Sequence, residues 1–421
     1  MTKKRKILLS LIAGCLLLAY MLINDPSRPV TLRLGVFIGS NFDVYNGNSY
    51  AIIDETIAQF EKENPNVSIE YESGIIKSDY SSWLSTKILK GEQLDVFMVL
   101  NEDFNTLVSI NALQSLDTYV TDRDVFYEGV LSSGSYNNHL YAMPYEASPT
   151  MMCINKDLLE KENIQIPDEN WTMNDFFEIC QKVTKDNNQD GNIDQFGCCN
   201  YEWLDAVYGY GTALFDEDGK NCYLNNSKDA LSFVQKLKSL NDGYHVTSDD
   251  FDKGNVAFCP LSIAQYRTYQ PYPYRVSKYS TFSWYCLPMP GNDGNQKTAT
   301  CQTSLMAINA KSQYKDLAYN FIELLTSKDI QQNLLEKSQG VSVLKSVMST
   351  DQTKDILQNK EGLNLNLLNR ILNNVISEPK FKNYDSILEK ADYLISNSLE
   401  NNQIELDIFS IQQELTDELK Q

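Results

Sequence analysis

The chain has 421 residues, too many for one small domain, so two lobes or more are expected. Its formal net charge of −20 argues against nucleic acid as a partner, since phosphate backbones call for clustered Lys and Arg, and it disfavours a strongly anionic ligand. With 42% hydrophobic and 22% charged residues, the composition suits a packed body.

The N-terminus reads separately from that body. Lys3-Lys4-Arg5-Lys6 precedes the apolar run Ile7–Ile23, and Asn24-Asp25-Pro26 ends it. A basic stretch before an apolar core is an export signal with its basic end inside. Two routes stay open. Ile12-Ala13-Gly14-Cys15 matches a lipobox, which would make Cys15 a lipidated first residue. The apolar run also continues past Cys15, near the short limit of roughly 17–25 residues for a span, which favours an uncleaved anchor. Both routes put the chain from about Asn24 outside the membrane and tethered to it.

Thr31–Ile38 reads as a first strand entering a core, ended by the polar loop Gly39–Phe42. Ile53, Ile57 and Phe60 mark a helix stopped at Asn64-Pro65. Val67–Tyr71 alternates as a strand, Tyr80–Leu89 is helical, and Leu94–Leu100 reads as a buried parallel strand. This order predicts a doubly wound α/β lobe, whose ligands sit beyond the strand ends, here Gly39–Phe42 and Asn101-Glu102.

Tyr141–Val183 organises the rest. Tyr141–Met143 is a short apolar run stopped by Pro144, and Tyr145 and Glu146 sit in a kinked segment between Pro144 and Pro149. A strand resumes at Met151–Ile154 and a helix opens at Asn155-Lys156-Asp157. Thr172 and Asp175 form a capping box for a second helix, with Phe176, Ile179, Cys180 and Val183 on one face. Such a crossing is either a hinge between lobes or a plain loop.

Lys185–Gly197 places Asp186, Asn188 and Asp190 at positions 1, 3 and 5 of a calcium-type loop, with Gly191 at position 6 and Asp194 at position 9. The Glu expected at position 12 is missing, so an acidic turn stands as the alternative to a structural calcium. Asn200–Tyr210 is rich in aromatic and polar residues, suited to stacking on sugar faces or to core packing. Cys153 and Cys180 lie at apolar positions as core thiols, and a bond from Cys222, Cys259, Cys286 or Cys301 stays open. There is no C-x-x-C, and only two histidines, which disfavours zinc. Leu305–Ile308 reads as a strand returning to the first lobe. The tail is helical in pattern, with faces Leu367/Ile371/Val375, Ile387/Ala391/Leu394 and Ile404/Ile408/Ile411/Leu415. Gly-x-Ser-x-Gly, P-loop, GxGxxG and HExxH motifs are absent.

The ordered pieces resemble the extracellular solute-binding proteins of ABC sugar importers, the maltose-binding-protein superfamily. Phe60–Tyr71 resembles the family's FEK-x-x-P-x-I-x-V, and Gly91–Val99 its SGDAPDVF. Ala112–Val120, Tyr141–Pro144, Ile154–Leu158, Trp171–Phe176 and Pro288–Gly291 follow in family order. Phe251–Arg267 resembles the family's F-x-x-G-x-x-A-M-x-x-x-G-x-W at Lys253-Gly254 and Val256–Phe258, but departs at the end, where Ser262 and Tyr266 stand near the family's Gly-x-Trp, and Cys301–Thr303 replaces a Gly-Gly. The resemblance implies a two-lobed α/β fold of periplasmic-binding-protein type II with a helical C-terminal region. Residues 1–29 would be the anchor and linker, 30–145 with 303–340 the N-terminal lobe, and 146–302 with 341–421 the C-terminal lobe. It implies a monomeric binder, not an enzyme, that captures a mono- or oligosaccharide without a cofactor and docks on membrane permease subunits. Its ligand contacts would be Asn41, Phe42, Asn101, Glu102, Tyr145, Glu146, Tyr201, Trp203, Ser262, Tyr266 and Trp284. A membrane-tethered solute sensor is the second reading. A secreted glycosidase, with Asp194, Glu146 and Glu202 as first candidates for its paired acids, is the third.

Overall fold

The computed structural model describes residues 29–44, 50–92, 94–269, 282–293, 297–357 and 363–420. The export signal, the apolar run and Cys15 lie outside the described residues. Among the described residues, no helix is long and apolar enough to cross a membrane.

The first half alternates strands and helices as its patterns require: β1 (Val30–Gly35), α1 (Ala51–Glu63), β2 (Val67–Tyr71), α2 (Lys77–Lys90), β3 (Val96–Val99), α3 (Asn101–Ser109) and α4 (Glu128–Ser132). Two-residue strands β4 (Ser135–Tyr136) and β5 (His139–Leu140) form a hairpin, and β6 (Ala142–Asn155) runs on from it. Then come α5 (Lys156–Lys161), α6 (Met173–Val183), β7 (Phe196–Cys198), α7 (Trp203–Gly209), α8 (Lys228–Ser239), α9 (Ser248–Asp252), β8 (Val256–Ser262), α10 (Ile263–Thr268), β9 (Trp284–Leu287) and β10 (Cys301–Ile308). The helical tail holds α11 (Lys315–Leu325), α12 (Lys328–Lys337), α13 (Asp351–Leu357), α14 (Leu365–Asn373), α15 (Tyr384–Glu400) and α16 (Ile404–Glu418).

Eight strands join in the order β2-β1-β3-β10-β6-β8-β7, with β9 also paired to β6. The first lobe contributes β1 parallel to β2 and β3, and β10 antiparallel to β3. The first part of β6 pairs with β10, and its second part with β8 and β9. One strand thus belongs to both halves of the sheet.

This corrects the kink expected between the prolines. β6 is continuous through Pro144 and Pro149, and the irregularity is a bulge. Glu146 pairs with Ser304 and Pro144 with Leu305, so Tyr145 is the residue without a partner. A bulge absorbs one extra residue and bends the strand without ending it, and a proline's fixed φ fits extended backbone.

Two apolar clusters flank the sheet. The first joins the β1–β3 side chains to those of α1, α11 and α12. The second gathers α6, α8, α15 and α16 around Phe176, Phe258 and Leu231. The sequence reading gives 341–421 to the second lobe. The apolar side chains from Val341 through Ile371 to Val375 pack in the first cluster, which also takes in Phe251, Tyr266 and Trp284 of the second half, and those from Phe381 onward join the second. Helical periodicity shows which face of a helix is buried, not which neighbour covers it.

Candidate functional site

At the crossing, the bulge turns Glu146 into the body. Its carboxylate accepts from the Gly340 amide at 2.8 Å, from Ser304 Oγ at 3.3 Å and from Ser338 Oγ. Burial raises its pKa, while those three donors and the Arg267 charge pull the other way. Arg267, on α10 in the second half, donates to the Gly340 and Leu335 carbonyls at 2.7 and 2.6 Å. Gln331 Nε2 donates to the Tyr145 carbonyl at 2.7 Å. The crossing is therefore tied to the first half through α12 and the turn after it.

Beside it, a cavity of about 30 Å³ is lined by Asn41, Tyr145, Glu146, Ser304 and Lys337. The structure brings the expected Asn41, Tyr145 and Glu146 together, in space for a water or two rather than a sugar ring. Asn41 Nδ2 donates to the Thr303 carbonyl at 2.7 Å, which ties the loop after β1 to β10. Phe42 is buried, its amide bonded to Ser40 Oγ. Asn101 and Glu102 open α3 with Glu102 exposed.

The second-lobe residues are placed otherwise than expected. Trp203 is 2% exposed, and its indole N–H donates to Asp392 Oδ1 of α15 at 2.7 Å. Tyr201 packs on Phe176 with ring centres 4.9 Å apart and donates to Met173 Sδ. Tyr266 and Trp284 sit in a ring cluster with Phe251 and Phe282. Ser262 caps α10, its Oγ accepting from the Gln265 amide. Each ring fills core or each hydroxyl is committed to backbone, so none of the five presents a free ligand face.

The Asp186–Asp194 loop closes on itself. Asp186 accepts from the Gln189, Asp190 and Gly191 amides, Asp190 from Asn192 and Asp194 from Asn187. These are Asx-type turn bonds. Among the described residues, no group of three or more His, Cys, Asp or Glu side chains is placed to hold a metal ion.

A roomier concavity lies where the tail crosses back. It measures about 330 Å³ and is lined by Tyr208, Leu214, Phe215, Lys297, Ser377 and Tyr384, among others. Tyr208 and Tyr384 are hydrogen-bonded to each other, and burial together with the nearby Glu378 charge raises both phenol pKa values. Ser377 Oγ meets Ser132 Oγ of α4 at 3.0 Å, so the cavity borders the first lobe. On the same flank Asn105 Nδ2 of α3 reaches Asp385 Oδ2 at 3.4 Å, and Lys380 Nζ lies 5.8 Å from the centre of the Phe104 ring. Asn105 Oδ1 is buried without a protein partner. Burial pushes the Asp385 carboxyl up to about 6, Glu378 adding to the shift and Lys380 opposing it. Tyr208 falls in the aromatic stretch singled out in the sequence. Asn105 stands one helical turn from Asn101, and Tyr384 three residues before the apolar face that begins at Ile387. A larger concavity of about 1090 Å³ is lined by Glu162–Pro167 and the α6 side chains Asp175, Glu178 and Lys182. Both concavities are lined by the second half of the fold, and the smaller one meets the first half through the Ser377–Ser132 contact.

The model of the bacterial extracellular solute-binding protein family matches residues 55–360. The chain belongs to that family. Membership places the body on the extracytoplasmic side of the membrane. A Brucella abortus binding protein is 27% identical over 207 residues, which are 47% of this chain and 48% of that protein. The arabinooligosaccharide-binding protein of Bacillus subtilis is 24% identical over 207 residues, covering 48% of this chain and 47% of its own. These matches span about half the length of the curated relatives. Among solved structures, the sugar-binding protein MalE of Xanthomonas citri superposes with a TM-score of 0.74 at 17% identity, covering 93% of this chain and 97% of that one. An ABC substrate-binding protein of Listeria monocytogenes, solved with cycloalternan, gives 0.69 at 18% identity, covering 93% and 98%. These likenesses show the two-lobed fold.

Proposed function

We propose that this protein captures a carbohydrate, a mono- or oligosaccharide, between its two lobes and hands it to the permease of an ABC importer. The observation that carries this reading is the family match over residues 55–360, and the 330 Å³ cavity beside the tail crossing, on the second lobe where Ser377 meets Ser132 of the first, is the candidate place for the ligand. Small-molecule sites run from roughly 300 to 1,000 Å³, mostly apolar with a few placed polar groups. Tyr208 and Tyr384 are themselves buried, Tyr384 packing edge-on against Phe215 and Phe381, so they give the wall ring edges and hydroxyls rather than open stacking faces. The names of the Bacillus relative and of the Xanthomonas and Listeria structures support a sugar.

In this reading the first lobe is 30–145 with 303–375 and the second is 146–302 with 376–421. An anchor helix or a lipid on Cys15 holds the protein at the outer face of the membrane. Contacts made on both lobes favour the closed form by no more than the ligand's differential affinity for the two forms. A thermal-shift panel of mono- and oligosaccharides, followed by calorimetry on the hits, tests it. Tyr384→Ala should weaken the hit about two- to tenfold, the order of one lost aromatic contact. A full panel without a hit, or unchanged affinity in the variant, would defeat it.

A further inference from the structure

Four cysteines form a row across the second half of the sheet. Cys153 on β6 lies directly opposite Cys259 on β8 and, on its other side, opposite Cys286 on β9. Cys153 Sγ and Cys286 Sγ are 4.0 Å apart. Cys199 follows β7, donates its amide to the Phe258 carbonyl, and brings its thiol to that of Cys259. All four side chains enter the same apolar cluster, while Cys198, next in the chain, points with Cys180 into the other. The order across the sheet is Cys286, Cys153, Cys259, Cys199.

A row has a different chemistry from a knot. Neighbouring strands are about 4.8 Å apart, so thiols on β9, β6 and β8 and at the end of β7 are strung along a line and cannot surround one ion tetrahedrally. Cross-strand neighbours have Cβ atoms about 4.5–5.5 Å apart, and a disulfide needs about 3.5–4.5 Å, so a small local shift suffices. The family works outside the cytoplasm, where disulfides persist.

We propose that Cys153–Cys286 and Cys199–Cys259 are oxidised to two cross-strand disulfides as the exported chain folds. The pairing follows from the order of the row. Joining Cys259 to Cys153 would strand both end thiols, whereas pairing each end inward leaves none. The oxidant is a donor disulfide, R–S–S–R, of a small thiol or a thiol–disulfide exchange protein. One cysteine thiolate attacks a donor sulfur and releases one RS⁻; the second displaces the other. Two electrons pass to the donor, which takes up the two cysteine protons and leaves as two thiols. The reaction belongs to the folding chain, because in the folded body these side chains are almost wholly buried. Burial also holds the Cys153 thiol well above its usual range, which leaves little thiolate to attack. Bonds formed before closure are shielded from reductant by the same packing. The first bond clips β9 to a strand 133 residues earlier, and closing a long loop constrains the unfolded chain most.

The test uses the full chain exported from a bacterial host. The protein is unfolded in guanidinium with iodoacetamide and no reductant, digested, and mapped by mass spectrometry. The expected result is two linked peptide pairs, Cys153 with Cys286 and Cys199 with Cys259, with Cys222 and Cys301 alkylated. Alkylation of the four overturns the proposal, and a Cys153–Cys259 link overturns the pairing.

Discussion

Gly340→Ala probes the crossing directly. A Cβ there would lie 2.5 Å from Glu146 Cγ and 2.6 Å from Oε1, far inside contact distance. The carboxylate must move away, and it then loses the Gly340 amide and Ser338 Oγ. Hydrogen bonds to a charged group contribute about 1.5–3 kcal/mol each, and overpacking a buried site costs about 1–3 kcal/mol. Because burial already raises the Glu146 pKa, the displaced group can take a proton, which offsets part of the loss. Two bonds and one clash at the bottom of those ranges come to about 4 kcal/mol, and the proton uptake brings the expected cost to about 2–4 kcal/mol. Urea denaturation at pH 7 reads it. The decisive arm is a double-mutant cycle with Glu146→Ala, since the three atoms nearest the added methyl all belong to that side chain. In the Glu146→Ala background, Gly340→Ala should cost less than about 0.5 kcal/mol. An equal cost in both backgrounds would mean that the backbone at 340, and not the carboxylate, is what the methyl disturbs.

Trp203→Phe should destabilise the second lobe by about 2–3 kcal/mol, from the smaller ring and the lost Asp392 bond, with sugar affinity unchanged. A stable variant with weakened binding would return Trp203 to the site. For Asp385, burial lifts the folded-state pKa to about 6, above the usual value near 4. The folded state then holds the proton more tightly, so this contribution is full below about pH 4 and is lost as pH rises through about 6. Asp385→Asn should gain in thermal midpoint at pH 7.5 relative to the parent, with the gain vanishing at pH 4; equal gains at both would show that charge is not the cause. Thr172→Ala should cost about 1 kcal/mol, because it breaks a capping box whose two bonds measure 3.1 and 2.8 Å. An unchanged urea midpoint would mean that the box is dispensable.

What was legible in the sequence was local. The Thr172/Asp175 box is observed as expected, since a cap depends on four consecutive residues. β2 spans Val67–Tyr71 as the alternation predicts, and the Ile404, Ile408, Ile411 and Leu415 face is buried. Long-range partners were not legible. Trp203 reads as a stacking ring until Asp392, 189 residues later, supplies a partner for its N–H. Tyr266 and Trp284 are drawn into one ring cluster by strand pairing that no single stretch encodes. Tyr384 carries no signal of its own, because helical spacing points to Ile387 and Ala391 and is silent on the residue that opens the helix. The prolines of β6 misled for another reason: they mark an irregularity, and whether it becomes a kink or a bulge depends on the partner strand.

The bulge also bears on why a carboxylate is buried at the crossing at all. A buried, hydrogen-bonded charge adds little net stability over an apolar side chain of the same size, since desolvation cancels most of what its partners return. What it does impose is register. The donors to Glu146 come from β10 and from the turn after α12, and Arg267 from the second half binds that same turn. A one-residue slip of β6 would separate the carboxylate from all of them and leave it unpaired, at a cost far above that of sliding an apolar residue. An apolar residue at 146 would tolerate Tyr145 or Ala147 in its place; a carboxylate does not. The fixed register sets where the strand leaves the first half, between the Ala147 bridge to Val341 and the Thr150 bond to Thr300. Ser148 and Pro149, opposite Gln302 and Cys301, are the last β6 residues paired to β10 before β8 takes over at Thr150, and a proline there limits the backbone to few angles.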